Sequence, residues 1–210
     1  MMRTVFKLFV FVVFLSSPVF AQDGEFKSMF NGKDLLGWHV NENPKSVYVE
    51  NGCLVTHGER AHAFYVGDTG HADFSDFHFK CKVMTKPSAN SGIYFHTKYE
   101  ATGWPSIGYE AQVNNTQSDP KKTGGLYAVK DCFEAPAKDD VWFDYEIMVE
   151  GKHVVIKIDG KVITDYTEPE NPERKPNMKK RLLTSGTIAL QAHDPGSKVL
   201  YKDMMLKILK

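Results

Sequence analysis

The sequence predicts an all-β chain folded as a two-sheet antiparallel β-sandwich, and three observations carry that expectation. Phe77, Phe79, Cys81 and Val83 alternate with His78, Lys80 and Lys82, the period-2 pattern of a half-buried strand. The turn dipeptides Asn51–Gly52 and Asp159–Gly160 each stand between two apolar runs, where tight hairpins place them. No long stretch keeps the helical apolar period of about 3.6 residues.

The chain opens with a different signal. Arg3 and Lys7 precede the unbroken apolar run 8–15, Ser16, Ser17 and Pro18 break it, and Ala21 closes a small-residue cleavage pattern. Residues 1–21 are therefore expected to be a secretory signal peptide. The run is shorter than the roughly 20 apolar residues of a membrane span. No Cys follows the cleavage point, so no lipid anchor is expected, and 22–210 is expected to form a single exported domain.

Removing Arg3 and Lys7 with the leader takes the 26 basic side chains to 24 against 26 acidic ones, a net charge of −2. That excludes a phosphate-neutralising surface, so no nucleic-acid partner is expected. Cys53, Cys81 and Cys132 are an odd, widely spaced set, expected as small buried hydrophobes with at most one disulfide.

In chain order, strands are expected at 46–50 and 53–56 across Asn51–Gly52, and at 74–83. Further strands are expected at 92–97, 108–114 and 125–129. A meander of 145–150, 153–158 and 161–166 turns at Gly151 and Asp159–Gly160. Residues 187–193 and 198–209 complete the set, the last on the alternation of Lys202, Met204 and Leu206. Residues 168–180, with three prolines and many charges, are expected to be a long exposed loop. About ten antiparallel strands require two packed sheets, a sandwich or jelly roll.

Several strands carry unusual polar groups on one face. Asn90 opens a run in which Gly92, Tyr94 and His96 oppose Ile93 and Phe95. Glu110, Gln112 and Asn114 oppose Tyr109, Ala111 and Val113, and Gln191 and His193 oppose Ile188, Leu190 and Ala192. Amide, imidazole, phenol and a lone carboxylate between small residues suit the reading of sugar hydroxyls, with Tyr127 nearby and Trp104 as an aromatic wall. The chain has no GxSxG elbow, no Walker-type phosphate loop and no HExxH motif. His39, His57, His62 and His71 fall in the loop-rich first third and are expected to be surface or packing residues.

At these residues the chain resembles the bacterial 3-keto-disaccharide hydrolase family. MFNGKDLLGW at 29–38, NSGIYF at 90–95, GYEAQV at 108–113, TGGLY at 123–127 and GTIALQAH at 186–193 match its motifs in order, over about 26–209. The family often has Arg where His96 stands and Asp where Asn114 stands. It commonly has Trp–Asn at Trp142–Phe143 and Asn–Gly at Asp159–Gly160. The first two departures bear on substrate preference, because both residues are expected on the ligand face.

The resemblance implies the concanavalin A-like lectin/glucanase jelly roll, and cleavage of 3-keto glycosides. A C3 ketone acidifies the C2 hydrogen and makes the C1 substituent a β-leaving group, so elimination and hydration give net hydrolysis, or elimination alone a lyase. Glu110 and His193 are the acid–base pair it implies. Tyr94, Gln112, Tyr127 and Gln191 could donate to the enolate or the hydroxyls, with Asn90, His96 and Trp104 lining the site. A divalent cation held by His and Glu could replace those donors. The family's occurrence in Gram-negative bacteria implies the periplasm. A non-catalytic carbohydrate-binding module on the same scaffold is the alternative, because a fold does not fix a function.

Overall fold

Asn51 and Gly52 hold φ of 51° and 77°, and Asp159 and Gly160 hold 48° and 74°. Positive φ at both central residues is the two-residue turn whose twist matches paired strands, so these dipeptides close hairpins as expected. The structure is a computed structural model that describes residues 24–209; the expected leader lies outside the described residues.

Among the described residues there are thirteen strands. They are β1 (Lys27–Ser28), β2 (Trp38–Val40), β3 (Val47–Glu50), β4 (Cys53–His57), β5 (Ala61–Tyr65), β6 (Phe77–Thr85) and β7 (Asn90–Thr97). They continue as β8 (Tyr109–Asn114), β9 (Phe143–Glu150), β10 (His153–Ile158), β11 (Lys161–Thr167), β12 (Thr187–Ala192) and β13 (Lys198–Ile208). One sheet runs β11-β10-β9-β6-β13-β4-β3, with β1 pairing β13; the other runs β2-β5-β12-β7-β8. All pairings are antiparallel, as the sequence predicts.

The core lies between the sheets. Phe77, Phe79, Cys81 and Val83 enter it from β6, and Ile93, Phe95, Tyr109, Ala111, Ile188 and Leu190 meet them from the smaller sheet. Tyr145 of β9 crosses the sandwich and donates to the Gln112 carbonyl at 3.0 Å, tying the two sheets together.

The smaller sheet is unusual in being buried on both faces. Every residue of β5, β7, β8 and β12 is buried. An antiparallel sheet commonly leaves its outer face to water. Here loops from 98–108, 115–130 and 174–184 fold over that face. β2 and β5 were not expected, because 61–65 shows no apolar–polar alternation to reveal it.

Three further expectations are corrected. Residues 125–129 form no strand; Leu126 makes only isolated bridges to Ala111 and Lys130. β13 does not alternate through Lys202, because a bulge at Asp203 (φ 52°) shifts its phase. Tyr201 is buried before the bulge, and Met204 and Leu206 after it. Residues 168–180 are anchored rather than fully exposed. Glu168 is buried, and its carboxylate accepts from the Tyr109 hydroxyl, from Lys152 Nζ at 2.7 Å and from the Leu183 amide at 2.9 Å. The three cysteines are unpaired; Cys53 and Cys81 are buried and Cys132 is only partly so.

Candidate active site

β7, β8 and β12 lie side by side, so their outward residues converge. The ladder sets Tyr94 opposite Glu110, Gly92 opposite Gln112 and Asn90 opposite Asn114. On the other flank it sets Ala189 opposite Tyr94 and Gln191 opposite His62. The loops over this face leave a groove of about 420 Å³, lined by Asn90, Tyr94, Trp104, Glu110, Gln112, Tyr127, Gln191 and His193. That volume falls in the range of small-molecule sites, roughly 300–1,000 Å³.

Glu110 stands at the centre, only 6% exposed. Its Oε1 accepts from Gln191 Nε2 at 3.1 Å, and its Oε2 faces Arg181 Nη2 at 3.4 Å. The same Gln191 amide donates to the Tyr94 hydroxyl at 3.1 Å. Burial pushes the Glu110 carboxyl above its usual range, against the opposing pull of Arg181, Tyr94 and Gln191. A carboxylate raised in this way is a stronger base than one in water.

His193 follows the last residue of β12 and is half-buried. Its Nδ1 lies 2.6 Å from Asp194 Oδ2, and Asp194 is itself held by Ser197 Oγ at 2.9 Å and the Gly196 amide at 2.8 Å. Burial would raise the Asp194 carboxyl, but the hydrogen bonds from His193, Ser197 and Gly196 outweigh it and hold the carboxyl low. With Nδ1–H donating to Asp194, Nε2 is the nitrogen left for proton transfer.

Trp104, 43% exposed, forms one wall. Its ring lies 5.2 Å from His193, 5.6 Å from His62 and under the Arg60 guanidinium at 5.3 Å. Glu42 pins this loop, accepting from Arg60 at 2.8 and 3.0 Å and from the Gly103 amide at 3.1 Å. Tyr127 closes the opposite side beneath Lys121 Nζ, 3.7 Å over its ring. Gln112 Nε2 donates to Asn90 Oδ1 at 3.0 Å.

Two residues expected on this face lie elsewhere. Three steps along β7, from Thr97 to Tyr94, pair with two along β12, from Thr187 to Ala189, so β7 carries a bulge; His96 within it sits at φ 53°. The His96 ring turns toward Phe77, 5.6 Å away. Its Nδ1 accepts from the Thr184 amide at 3.2 Å, so Nε2 carries the proton that is donated to the Ser75 carbonyl at 2.7 Å. His96 is thus a packing residue and not a groove residue. Asn114 instead ties down the 115–122 loop, donating to the Asp119 and Lys121 carbonyls at 3.1 and 2.9 Å. The departures at His96 and Asn114 therefore fall on side chains that do not line the groove.

The sequence did not single out Arg181 or Asp194. Arg181 is 5% exposed and faces the groove from the 168–186 segment, whose prolines and charges look like exposed loop. Asp194 beside His193 was the one local signal available. His62 was expected to be a surface or packing residue. It is fully buried, and lies beneath Trp104 against Tyr94, at 5.3 Å.

Five buried polar atoms lack a partner among the described residues: Gln112 Oε1, Gln191 Oε1, Arg181 Nη1 and both ring nitrogens of His62. Three of these belong to groove-lining residues. A buried polar atom left unpaired costs about 1–3 kcal/mol, so these atoms call for partners that the described side chains and backbone do not supply.

The residues present do not fit a resident cation. Among the described residues no group of three or more His, Cys, Asp or Glu side chains is gathered to hold one. The carboxylate of Glu110 faces a guanidinium, where a metal site would place further anionic or neutral donors.

The family of the 3-keto-alpha-glucoside-1,2-lyase-like domain matches residues 25–207. The chain belongs to this family. No curated protein sequence matches this chain. Among solved structures it is similar to a provisionally assigned glycosyl hydrolase from Parabacteroides distasonis, with a TM-score of 0.75 and 21% identity over 89% of this chain and 94% of that one. It is also similar to a protein of unknown function with a galectin-like fold from Bacillus subtilis, with a TM-score of 0.60 and 11% identity over 90% and 99%. The carbohydrate-binding module CBM66 from Bacillus subtilis aligns with a TM-score of 0.52 and 12% identity over 87% and 94%. At such identities these likenesses establish the lectin-like sandwich fold. Among the described residues no helix is long and apolar enough to cross a membrane.

Proposed function

We propose that the chain is an exported enzyme that cleaves 3-keto glycosides by removing the proton at C2. The observation that carries this reading is Glu110, a buried carboxylate raised by burial, in a groove shared with the His193–Asp194 pair. An ordinary glycosidase needs two carboxylates flanking the bond. A 3-keto sugar needs one base, one electrophile and one acid.

Glu110 takes the C2 proton, and the C2–H electron pair becomes the enolate of the C3 ketone. The enolate collapses, the C1–O bond breaks, and His193 delivers a proton from Nε2 to the departing oxygen. Water then adds at C1 of the unsaturated ketone, giving its proton to His193, while Glu110, having exchanged its proton with solvent as the alcohol departs, returns one to C2. The sum is glycoside plus water to free 3-keto sugar plus alcohol. Gln112 Oε1 and Gln191 Oε1 accept from sugar hydroxyls, and Trp104 packs on the sugar's C–H face. The ligand is therefore a carbohydrate, and the leader at 1–21 would send the enzyme to the periplasm.

The test is incubation with an aryl 3-keto glucoside and with its unoxidised parent, following aryl alcohol release. Release from the oxidised sugar alone is expected. The second reading, a carbohydrate-binding module, is favoured by the likeness to CBM66 and by the unpaired glutamine acceptors. It predicts binding of one of the two sugars and cleavage of neither. A pure hydroxyl reader has no use for a buried base.

A further inference from the structure

We infer that Arg181 is the electrophile of this site: its free Nη1–H donates to the C3 oxygen of the oxidised sugar and holds the charge that oxygen gains in the enolate. The inference rests on the reading above and names the group that reading lacks.

The first support is the inventory of unpaired atoms at the groove. Gln112 Oε1 and Gln191 Oε1 are acceptors, and they suit hydroxyls, which have a hydrogen to give. A ketone has only lone pairs to offer. Among the fully buried polar atoms of the groove-lining residues described, Arg181 Nη1 is the one unpaired donor.

The second support is adjacency. Nη2 of the same guanidinium faces the base, Glu110 Oε2, at 3.4 Å. In enolisation the proton leaves C2 while charge gathers on the oxygen of C3, one carbon away. A planar guanidinium holding the base on one terminal nitrogen and the oxygen on the other presents both reacting groups at that separation.

The third support is rigidity. The guanidinium carbon lies 5.2 Å over the Tyr94 ring, which fixes the fork's position. The Arg181 backbone is held at both ends: its amide donates to the Met178 carbonyl at 2.9 Å, and its carbonyl accepts from Arg174 Nε at 2.8 Å. A donor fixed in a buried site stabilises developing charge without reorganising, and removing one such donor costs roughly 10²–10³-fold in rate.

A hydroxyl can also accept from Arg181, so the ground state gains little discrimination; the effect belongs to the charged enolate. The probe is therefore 3-keto-1,5-anhydroglucitol, which has a C2 hydrogen but no exocyclic oxygen to expel at C1. Exchange of that hydrogen in deuterated water is followed by NMR, and binding by calorimetry, for the wild type, Arg181→Met and Arg181→Lys. The wild type is expected to exchange. Arg181→Met is expected to bind within about tenfold of the wild type but exchange roughly 10²–10³-fold more slowly. Arg181→Lys, which keeps the charge but loses the second nitrogen, is expected to fall between them and serves if the Met variant does not fold. Exchange at the wild-type rate in either variant overturns the role of Arg181 and leaves the proposed function standing. A wild type that binds the probe without exchanging it overturns the proposed function, and the enolate role with it.

Discussion

The side chain of Glu110 folds over Gly92, so closely that a β-carbon on Gly92 would stand 2.6 Å from Glu110 Oε1. Gly92 is therefore a space-maker for the carboxylate; no unusual backbone conformation requires it. Gly92→Ala must push Glu110 off Gln191 and Arg181. Overpacking of this kind costs about 1–3 kcal/mol. The expected outcome is a folded protein, by thermal unfolding, with kcat on the 3-keto glucoside lowered by roughly 10²-fold, as a displaced base implies.

Glu110→Gln should separate catalysis from stability. The base contributes about 10²–10⁴-fold, so kcat should fall by that factor. The stability change at neutral pH should be about 1 kcal/mol or less. Its sign follows from the raised carboxyl. The folded state holds this proton to higher pH than the unfolded chain, whose carboxyl sits near 4.5, so ionising the buried group costs stability as pH rises through that window. Melting temperatures of variant and wild type should converge near pH 4, with the variant gaining on the wild type as pH rises.

Glu168 behaves oppositely. Burial alone would raise it, but Lys152, the Tyr109 hydroxyl and the Leu183 amide bring it below its usual value. Its contribution is present above the unfolded carboxyl's pKa and is lost as pH falls through the lowered folded value. Glu168→Ala strips Tyr109 and Leu183 of their partner and should cost about 2–3 kcal/mol by denaturant titration. It should also slow turnover, because the segment carrying Arg181 is tied at its base by this residue.

His62 and His96 predict an acid limb with a different origin. Burial pushes the His62 imidazole down to about 3 and lowers His96 as well, so both fold neutral. The unfolded chain binds their protons near 6.5, so stability is full above that pH and is lost below it, at up to about 1.4 kcal/mol per pH unit for each histidine. His96→Gln should shrink the slope as pH falls below 6.5 while leaving substrate preference unchanged, since the ring lies off the groove. A change in sugar preference would contradict that placement.

The groove strands were legible in the sequence because their two faces differ chemically: core residues alternate with Glu110, Gln112 and Gln191. β5 was not, because His62 and Phe64 are as buried as Ala61 and Ala63, and two buried faces erase the alternation. The bulges at His96 and Asp203 were hidden for another reason. Both put a non-glycine residue at positive φ, and no local residue choice announces that. Arg181 was concealed by distance, since its placement depends on Glu168 meeting Tyr109 of β8 and Lys152 of the β9–β10 turn. His193 was visible, but its partnership with Asp194 is a matter of geometry.

The central claim is that this chain breaks a glycosidic bond through the C2 proton of an oxidised sugar. It is tested most directly by cleaving a 3-keto glucoside in deuterated water, under conditions where the free product does not exchange, and reading deuterium at C2 of the released sugar by mass spectrometry. The account predicts one deuterium at C2 in the released sugar and no cleavage of the unoxidised parent. Release of a sugar with its C2 hydrogen intact, or equal cleavage of the parent, would contradict it.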